Sequence, residues 1–197
     1  MSEPARTEVA RRLDVRVGSS TNALHPISGA ERRGRAGPAQ WVALGVIAFT
    51  AITADQLTKA IVSSRLPVGD AAATLGPFSI HHVENSGIAF GLFANSTTAV
   101  ILLTSVAVGA MLVFFGRTAQ RHPLLPIALG FVIGGSIANL ADRLRLGHVV
   151  DFLDFAYWPA FNLADTFIVV GVGLLFVSFI AADRTSPRVG TAPLSRS

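Results

Sequence analysis

The side chains in this sequence that could do chemistry are carboxylates set beside long apolar runs. Asp165 lies one turn into "FNLADTFIVVGVGLLFVSFIAA" (161–182), a stretch long and apolar enough to cross a bilayer as a helix. An ionisable residue inside a spanning helix is costly and is a functional candidate by default. A structural alternative stands beside that reading: Asp165 as a first-turn anion, with Asn162 as the helix N-cap. Four polar sets flank apolar runs: Asp55 with Lys59, four apart on one helix face; Asn139 with Asp142 and Arg143; Asp151 with Asp154; and Asn162 with Asp165 itself, three apart. With no cysteine in the chain, thiolate catalysis, disulfides and cysteine metal sites are excluded. His81, His82 and His148 fall at no diagnostic ligand spacing, so they read as ordinary interfacial histidines and no metal is expected. Nor is there a Ser-His-Asp arrangement at membrane depth. Paired carboxylates remain. Two held close cannot both ionise cheaply and share a proton. One then acts as base on a water while the other, protonated, polarises a carbonyl, with no cofactor. Spacing alone does not show that Asp151 meets Asp165.

Those residues need elements to position them, and composition points to a membrane. Of the 197 residues, 51% are hydrophobic and 14% charged, against about 25% charged in soluble domains. The apolar residues cluster into runs that give four spans, about 41–63, 97–115, 124–141 and 161–182. The first qualifies only if it continues through "DQLTKAIV", which puts Asp55 and Lys59 near its far end. A cleaved signal-peptide core at 41–54 is the rival reading; the forty-residue leader and the lack of a small-x-small site weigh against it. Twelve of the sixteen Lys and Arg residues fall in 1–40, in the loop holding Arg117 and Arg121, and in 183–197. The positive-inside rule therefore places both termini and that loop in the cytoplasm. Residues 1–40 read as a disordered basic cytoplasmic tail, 41–182 as the membrane domain and 183–197 as a second cytoplasmic tail. The net charge of +4 sits in those tails, so nucleic acid is not the expected partner.

Two extracytoplasmic loops follow from this topology. Residues 65–96 contain short β-like runs with glycine breaks and predict a small sheet or hairpin. Residues 143–160 read as an aromatic-rich loop in which Tyr157 and Trp158 suit a membrane-interface belt. The fold class is an all-α membrane protein of four transmembrane helices with a small extracytoplasmic β-sheet and loop. Gly130, Gly134 and Ala138 form a small-xxx-small row for close helix packing. All the polar sets then fall at one level, the extracytoplasmic interface. A proton-coupled transporter would spread them over several depths. A non-enzymatic lipid-binding protein would use Lys59 and Arg143 on head groups.

The stretches "DQLTK" (55–59), "ENSGIAFG" (84–91), "GGSIANLADR" (134–143), "VVDF" (149–152) and "FNLAD" (161–165) stand in the order found in bacterial lipoprotein signal peptidases, or signal peptidase II. Over about residues 41–182 the chain resembles that family. The resemblance implies a four-helix aspartic endopeptidase of the bacterial cytoplasmic (inner) membrane, acting near its extracytoplasmic face. It implies a monomer whose partners are membrane lipid and a diacylglyceryl-modified prolipoprotein, which it cuts just before the lipidated cysteine. The catalytic aspartates would be Asp151 and Asp165. Asp55, Lys59, Asn85, Asn139, Asp142, Arg143 and Asn162 would support them or bind substrate. A small extracytoplasmic sheet and a substrate-clamping loop are also implied, matching 65–96 and 143–160. One departure is visible: the third motif usually reads G-G-x-x-G-N, and this chain has Ala138 before Asn139. Alanine preserves the small packing surface. The change matters only where a positive φ is required.

Overall fold

The computed structural model describes residues 35–87, 96–118, 123–155 and 157–185. Four helices are long and apolar enough to cross a membrane: α1 (Pro38–Arg65), α2 (Thr97–Thr118), α3 (Leu125–Leu146) and α4 (Leu163–Thr185). Of their most apolar windows, 67% is buried in α3 and 22% or less in each of the others, which makes α3 the central helix. It packs chiefly on α1 and α4 and less extensively on α2. Exposed apolar side chains such as Phe49 on α1, Val106 on α2 and Phe176 on α4 give these helices the outward face that a hydrocarbon environment requires.

Small residues set the helix spacing. A Cβ on Gly134 would lie 2.7 Å from the Ala48 carbonyl oxygen of α1, and one on Gly130 2.8 Å from Ile47. Gly135 faces the other neighbour: its Cβ would collide with the Ala164 carbonyl oxygen in the first turn of α4 and lie 2.9 Å from Ile168. The contact is reciprocated by Gly171 of α4, which abuts Ala128 and Val132. Close approach of small residues thus holds α1 and α4 against α3 where no hydrophobic effect drives them together. Gly135→Ala is expected to push out the first turn of α4 and cost about 1–3 kcal/mol. Thermal unfolding in detergent would register this as a lowered midpoint. Ala138 is fully buried within the regular helix α3, and the described glycines with a positive φ are Gly69, Gly76 and Gly147. The departure from glycine at 138 therefore carries no backbone strain.

At one end of the bundle Leu44, Val108, Phe115, Leu125, Leu129 and Ile133 form an apolar cluster, with Trp41 edge-on to Phe115 at 4.8 Å. The polar residues and the sheet lie at the other end. Four antiparallel strands pair in sequence order: β1 (Ala71–Leu75), β2 (Phe78–Asn85), β3 (Val149–Phe155) and β4 (Trp158–Phe161). The hairpin expected in 65–96 is β1–β2. The reading of 143–160 as a loop needs correction: α3 continues to Leu146, and β3 and β4 follow. Gly147, at φ 83°, ends α3 with its N–H donating to the Arg143 carbonyl, and β3 starts two residues later. The β-branched and aromatic run "VVDFLDF" then completes the sheet by pairing with β2, Glu84 opposite Val150 and Val83 opposite Asp151. Val149 to Phe152 are buried without a break, because this end of β3 is enclosed instead of having one solvated face.

Candidate active site

Asn162 and Asp165 define the start of α4. The Asn162 side-chain oxygen accepts from the Asp165 backbone N–H at 3.0 Å, and the Asp165 carboxylate accepts from the Asn162 backbone N–H at 3.2 Å. This reciprocal box satisfies two backbone donors, and the acid at its third helical position suits the helix dipole. The capping alternative is therefore realised, and it coexists with a second set of contacts. Asp165 Oδ1 accepts from Asn139 Nδ2 of α3 at 2.8 Å. Asn162 Nδ2 donates to Asp151 Oδ1 of β3 at 2.7 Å and to Asn139 Oδ1 at 3.0 Å. Asn85, at the end of β2, donates to Asp151 Oδ2 at 2.9 Å. Asp151 and Asp165, on a strand and a helix, thus share Asn162 as a neighbour: its side chain holds one and its backbone the other.

Beneath them lies an ion-pair core. Lys59 Nζ is 2.7 Å from Asp55 Oδ2, 2.7 Å from Asp142 Oδ2 and 2.8 Å from Asn139 Oδ1. Three acceptors occupy its three N–H groups. Asp55 Oδ1 accepts from the Ala164 N–H at 2.9 Å, anchoring the α4 start to α1. Gln56 Nε2 donates to Asp142 Oδ1 at 2.8 Å. The i,i+4 pair of Asp55 and Lys59 is therefore buried and bridges three helices, instead of being a surface pair worth a few tenths of a kcal/mol. Lys59 also fixes the Asn139 amide. With its oxygen turned to Lys59 and Asn162, the Asn139 NH2 must face Asp165.

Asp151 and Asp165 line one cleft of about 760 Å³, with Glu84, Asn85, Asn139 and Arg143 among the polar lining and Trp158, Phe161, Val100 and Ile168 among the apolar walls. Arg143 spans it: Nη2 donates to the Gly87 carbonyl at 2.6 Å and Nη1 to the Asn139 carbonyl at 3.4 Å, and Nε has no partner among the described residues. Burial disfavours the charged form of Asp151. The bonds from Asn85 and Asn162 oppose that, the Asp165 charge reinforces it, and the carboxyl is pushed up to about 6.

All nine site residues read from sequence thus fall in one connected cluster. Asp154 is turned away: on the half-buried part of β3, it pairs with His81 at 3.2 Å and does not line the cleft. His82 bonds the Leu66 carbonyl, and His148 lies 3.4 Å from Glu84. Sequence reasoning missed Gln56, which stands inside "DQLTK" but carries no charge to draw notice. It also missed Trp158 as a cleft wall.

Residues 47–181 match the family model for signal peptidase (SPase) II. Curated relatives include the lipoprotein signal peptidase of Symbiobacterium thermophilum, 40% identical over 71% of this chain and 95% of its own length, and that of Pelotomaculum thermopropionicum, 42% identical over 67% and 88%. Two solved bacterial membrane enzymes, both studied by the in meso method, share the fold. One superposes with TM-score 0.69 at 24% identity over 83% of this chain and 98% of its own. The other gives 0.65 at 26% identity over 75% and 97%. With the family model covering most of its length and the curated relatives nearly complete in the match, this chain belongs to the signal peptidase II family.

Proposed function

We propose that the protein is an intramembrane aspartic endopeptidase that removes the signal peptide from diacylglyceryl-modified prolipoproteins by cutting before the lipidated cysteine. The observation that carries this reading is the convergence of Asp151 and Asp165 on one cleft, each held by Asn162. Asp151 is assigned as the proton carrier, its carboxyl being pushed up to about 6. Asp165 is the base, set at the N-terminus of α4 and bonded by Asn139 and the Asn162 N–H. A water between them attacks the scissile carbonyl carbon and passes a proton to Asp165. The carbonyl oxygen takes the Asp151 proton, giving a neutral tetrahedral diol. Collapse breaks the C–N bond: the leaving amine, the new N-terminus of the lipidated cysteine, takes the proton held by Asp165, while one diol hydroxyl returns its proton to Asp151 and becomes the carbonyl of the new carboxyl group. Arg143 places positive charge beside both aspartates.

The lipid requirement follows from where such a substrate is found. Its acyl chains stay in the bilayer, and Val100, Ile168 and Val169 give the cleft an apolar side toward α2 and α4. Water must enter from outside, which suits a site at the extracytoplasmic rim of the bacterial inner membrane with both termini cytoplasmic. The distribution of Lys and Arg supports that orientation. A single chain brings together both aspartates, Asn139 and Asn162, so the reading needs no second copy to complete the site and takes the chain to act as a monomer. A proton-coupled transporter is disfavoured by the depth of the polar residues. Asp55, Lys59, Asn139, Asp142, Asp151 and Asn162 cluster at the sheet end, while buried Ser178 only bonds back to the Leu174 carbonyl of its own helix.

Two measurements test the chemistry. The dyad works with one proton, and Asp151 holds it below about 6. The kcat/KM of the wild type is expected to fall as pH rises through that value, about tenfold per unit once both carboxylates ionise. A profile rising through the same range would contradict the assignment. Chelation should leave turnover unchanged, and loss with EDTA that a divalent metal restores would exclude the metal-free route.

A further inference from the structure

A second cleft, of about 430 Å³, lies across α3 from the catalytic one. Helical geometry separates the two. Ser136, Asn139 and Arg143 of α3 line the catalytic cleft, whereas Asp142, Arg145 and Leu146 line the second. Residues two apart on a helix point roughly 200° apart, so Arg143 and Arg145 serve opposite sides. The other wall is one face of α1, with Ile52, Gln56, Ala60 and Ser63, and Val150 closes the sheet end. From Ile52 to Ser63 the wall extends about 16 Å at 1.5 Å per residue.

The charges of this cleft are unequally engaged. Lys59 is 4% exposed and its three N–H groups are taken, so it has none left for a ligand. Asp142, also in the lining, is neutralised by Lys59 and bonded by Gln56. Arg145 is exposed, forms no ion pair among the described residues, and makes one long contact, 3.5 Å to Gln56 Oε1. Its guanidinium thus stands at the mouth of a groove that is apolar along Ile52, Leu57, Ala60 and Leu146. A free cation above an apolar groove between membrane-spanning helices is complementary to one kind of molecule, an anionic phosphate joined to acyl chains. The head-group role that the sequence offered to Lys59 and Arg143 falls instead to Arg145, because the other two cations are committed to internal partners.

We propose that this second cleft binds one glycerophospholipid of the surrounding bilayer, its phosphate on Arg145 and its acyl chains along the α1 face from Ala60 toward Ile52. The bound lipid is distinct from the substrate's own diacylglycerol, which belongs to the catalytic side of α3. It sits directly on Gln56, whose amide holds Asp142 and, through Lys59, the orientation of Asn139. This site depends on the membrane placement of the four helices and not on the peptidase reading, so the test reads lipid and not cleavage.

The full chain would be reconstituted in nanodiscs of equal phosphatidylglycerol and phosphatidylcholine, transferred to mild detergent, and its retained lipids counted by native mass spectrometry. Wild type should keep one phosphatidylglycerol. Arg145→Ala should lower that occupancy about tenfold, the scale of one charge-assisted contact, and Arg145→Lys should largely restore it. Ala60→Trp, which fills the groove and leaves Arg145 in place, should also lose the lipid. Arg65→Ala, outside the lining, should not. Equal retention by wild type and Arg145→Ala, or no retained lipid in wild type, would overturn the site. Displacement by millimolar inorganic phosphate would assign the cleft to a free anion and overturn the lipid. Full retention by Ala60→Trp would place the lipid elsewhere and overturn the groove.

Discussion

Asp165→Asn or Asp151→Asn is expected to abolish cleavage while the chain still inserts and folds. Asparagine has nearly the shape of aspartate, so the packing at the α4 start and on β3 is preserved. At 165 its oxygen can still accept from the Asn162 N–H, as the carboxylate does at 3.2 Å. What disappears is the ability to take a proton from water. At 151 the amide cannot give the carbonyl oxygen the proton that the buried acid holds up to about 6. Removing either partner of a general acid–base pair costs about 10³-fold or more when the two act as a unit. Initial rates on a gel-shift substrate, with a melting curve for each variant, measure both effects. Near-normal turnover by either variant would refute the dyad. Asp154→Asn is the internal control: it breaks a half-exposed contact with His81 outside the cleft, so turnover should change less than about twofold.

The second large effect is on stability. Lys59→Met leaves Asp55 and Asp142, both buried, without the ammonium that lies 2.7 Å from each. An uncompensated buried charge costs about 3–5 kcal/mol, whereas an ion-pair cluster replaced by neutral groups of similar shape is often tolerated. Lys59→Met alone should lower the melting midpoint by roughly 10 °C. Adding Asp55→Asn and Asp142→Asn should recover most of that loss. The triple variant should still be poor in turnover, because Asn139 has lost the partner that orients its amide toward Asp165. A Lys59→Met midpoint within a degree or two of wild type would mean that the cluster is not a neutralised core.

Much of this was legible because membrane helices write plainly. Long apolar runs locate α1 to α4, and the row of Gly130, Gly134 and Ala138 marks the packing face of α3. The polar residues were legible as a level, since each set abuts the same end of a span. Their pairing was not. Asp142 meets Lys59 and Asn85 meets Asp151 only once the chain is folded, and no local spacing encodes contacts between residues more than sixty apart. The strands at 149–161 were obscured for a different reason. An interfacial belt and a short strand both favour aromatic and β-branched residues, and the continuous burial of Val149 to Phe152 erases the alternation that would have separated them. Asp165 shows how one residue can satisfy two readings: the N-terminal capping box that makes it structurally ordinary is also what aims its carboxylate into the cleft.

The most direct measurement is cleavage by the purified full chain in detergent, with a diacylglyceryl-modified prolipoprotein, the same precursor unmodified, and the Asp165→Asn variant side by side. Cutting of the lipidated precursor alone, before its cysteine, and its loss in the variant is the predicted result. A folded wild type that leaves the lipidated precursor intact, or an Asp165→Asn variant that cuts it at the wild-type rate, would contradict the proposed peptidase.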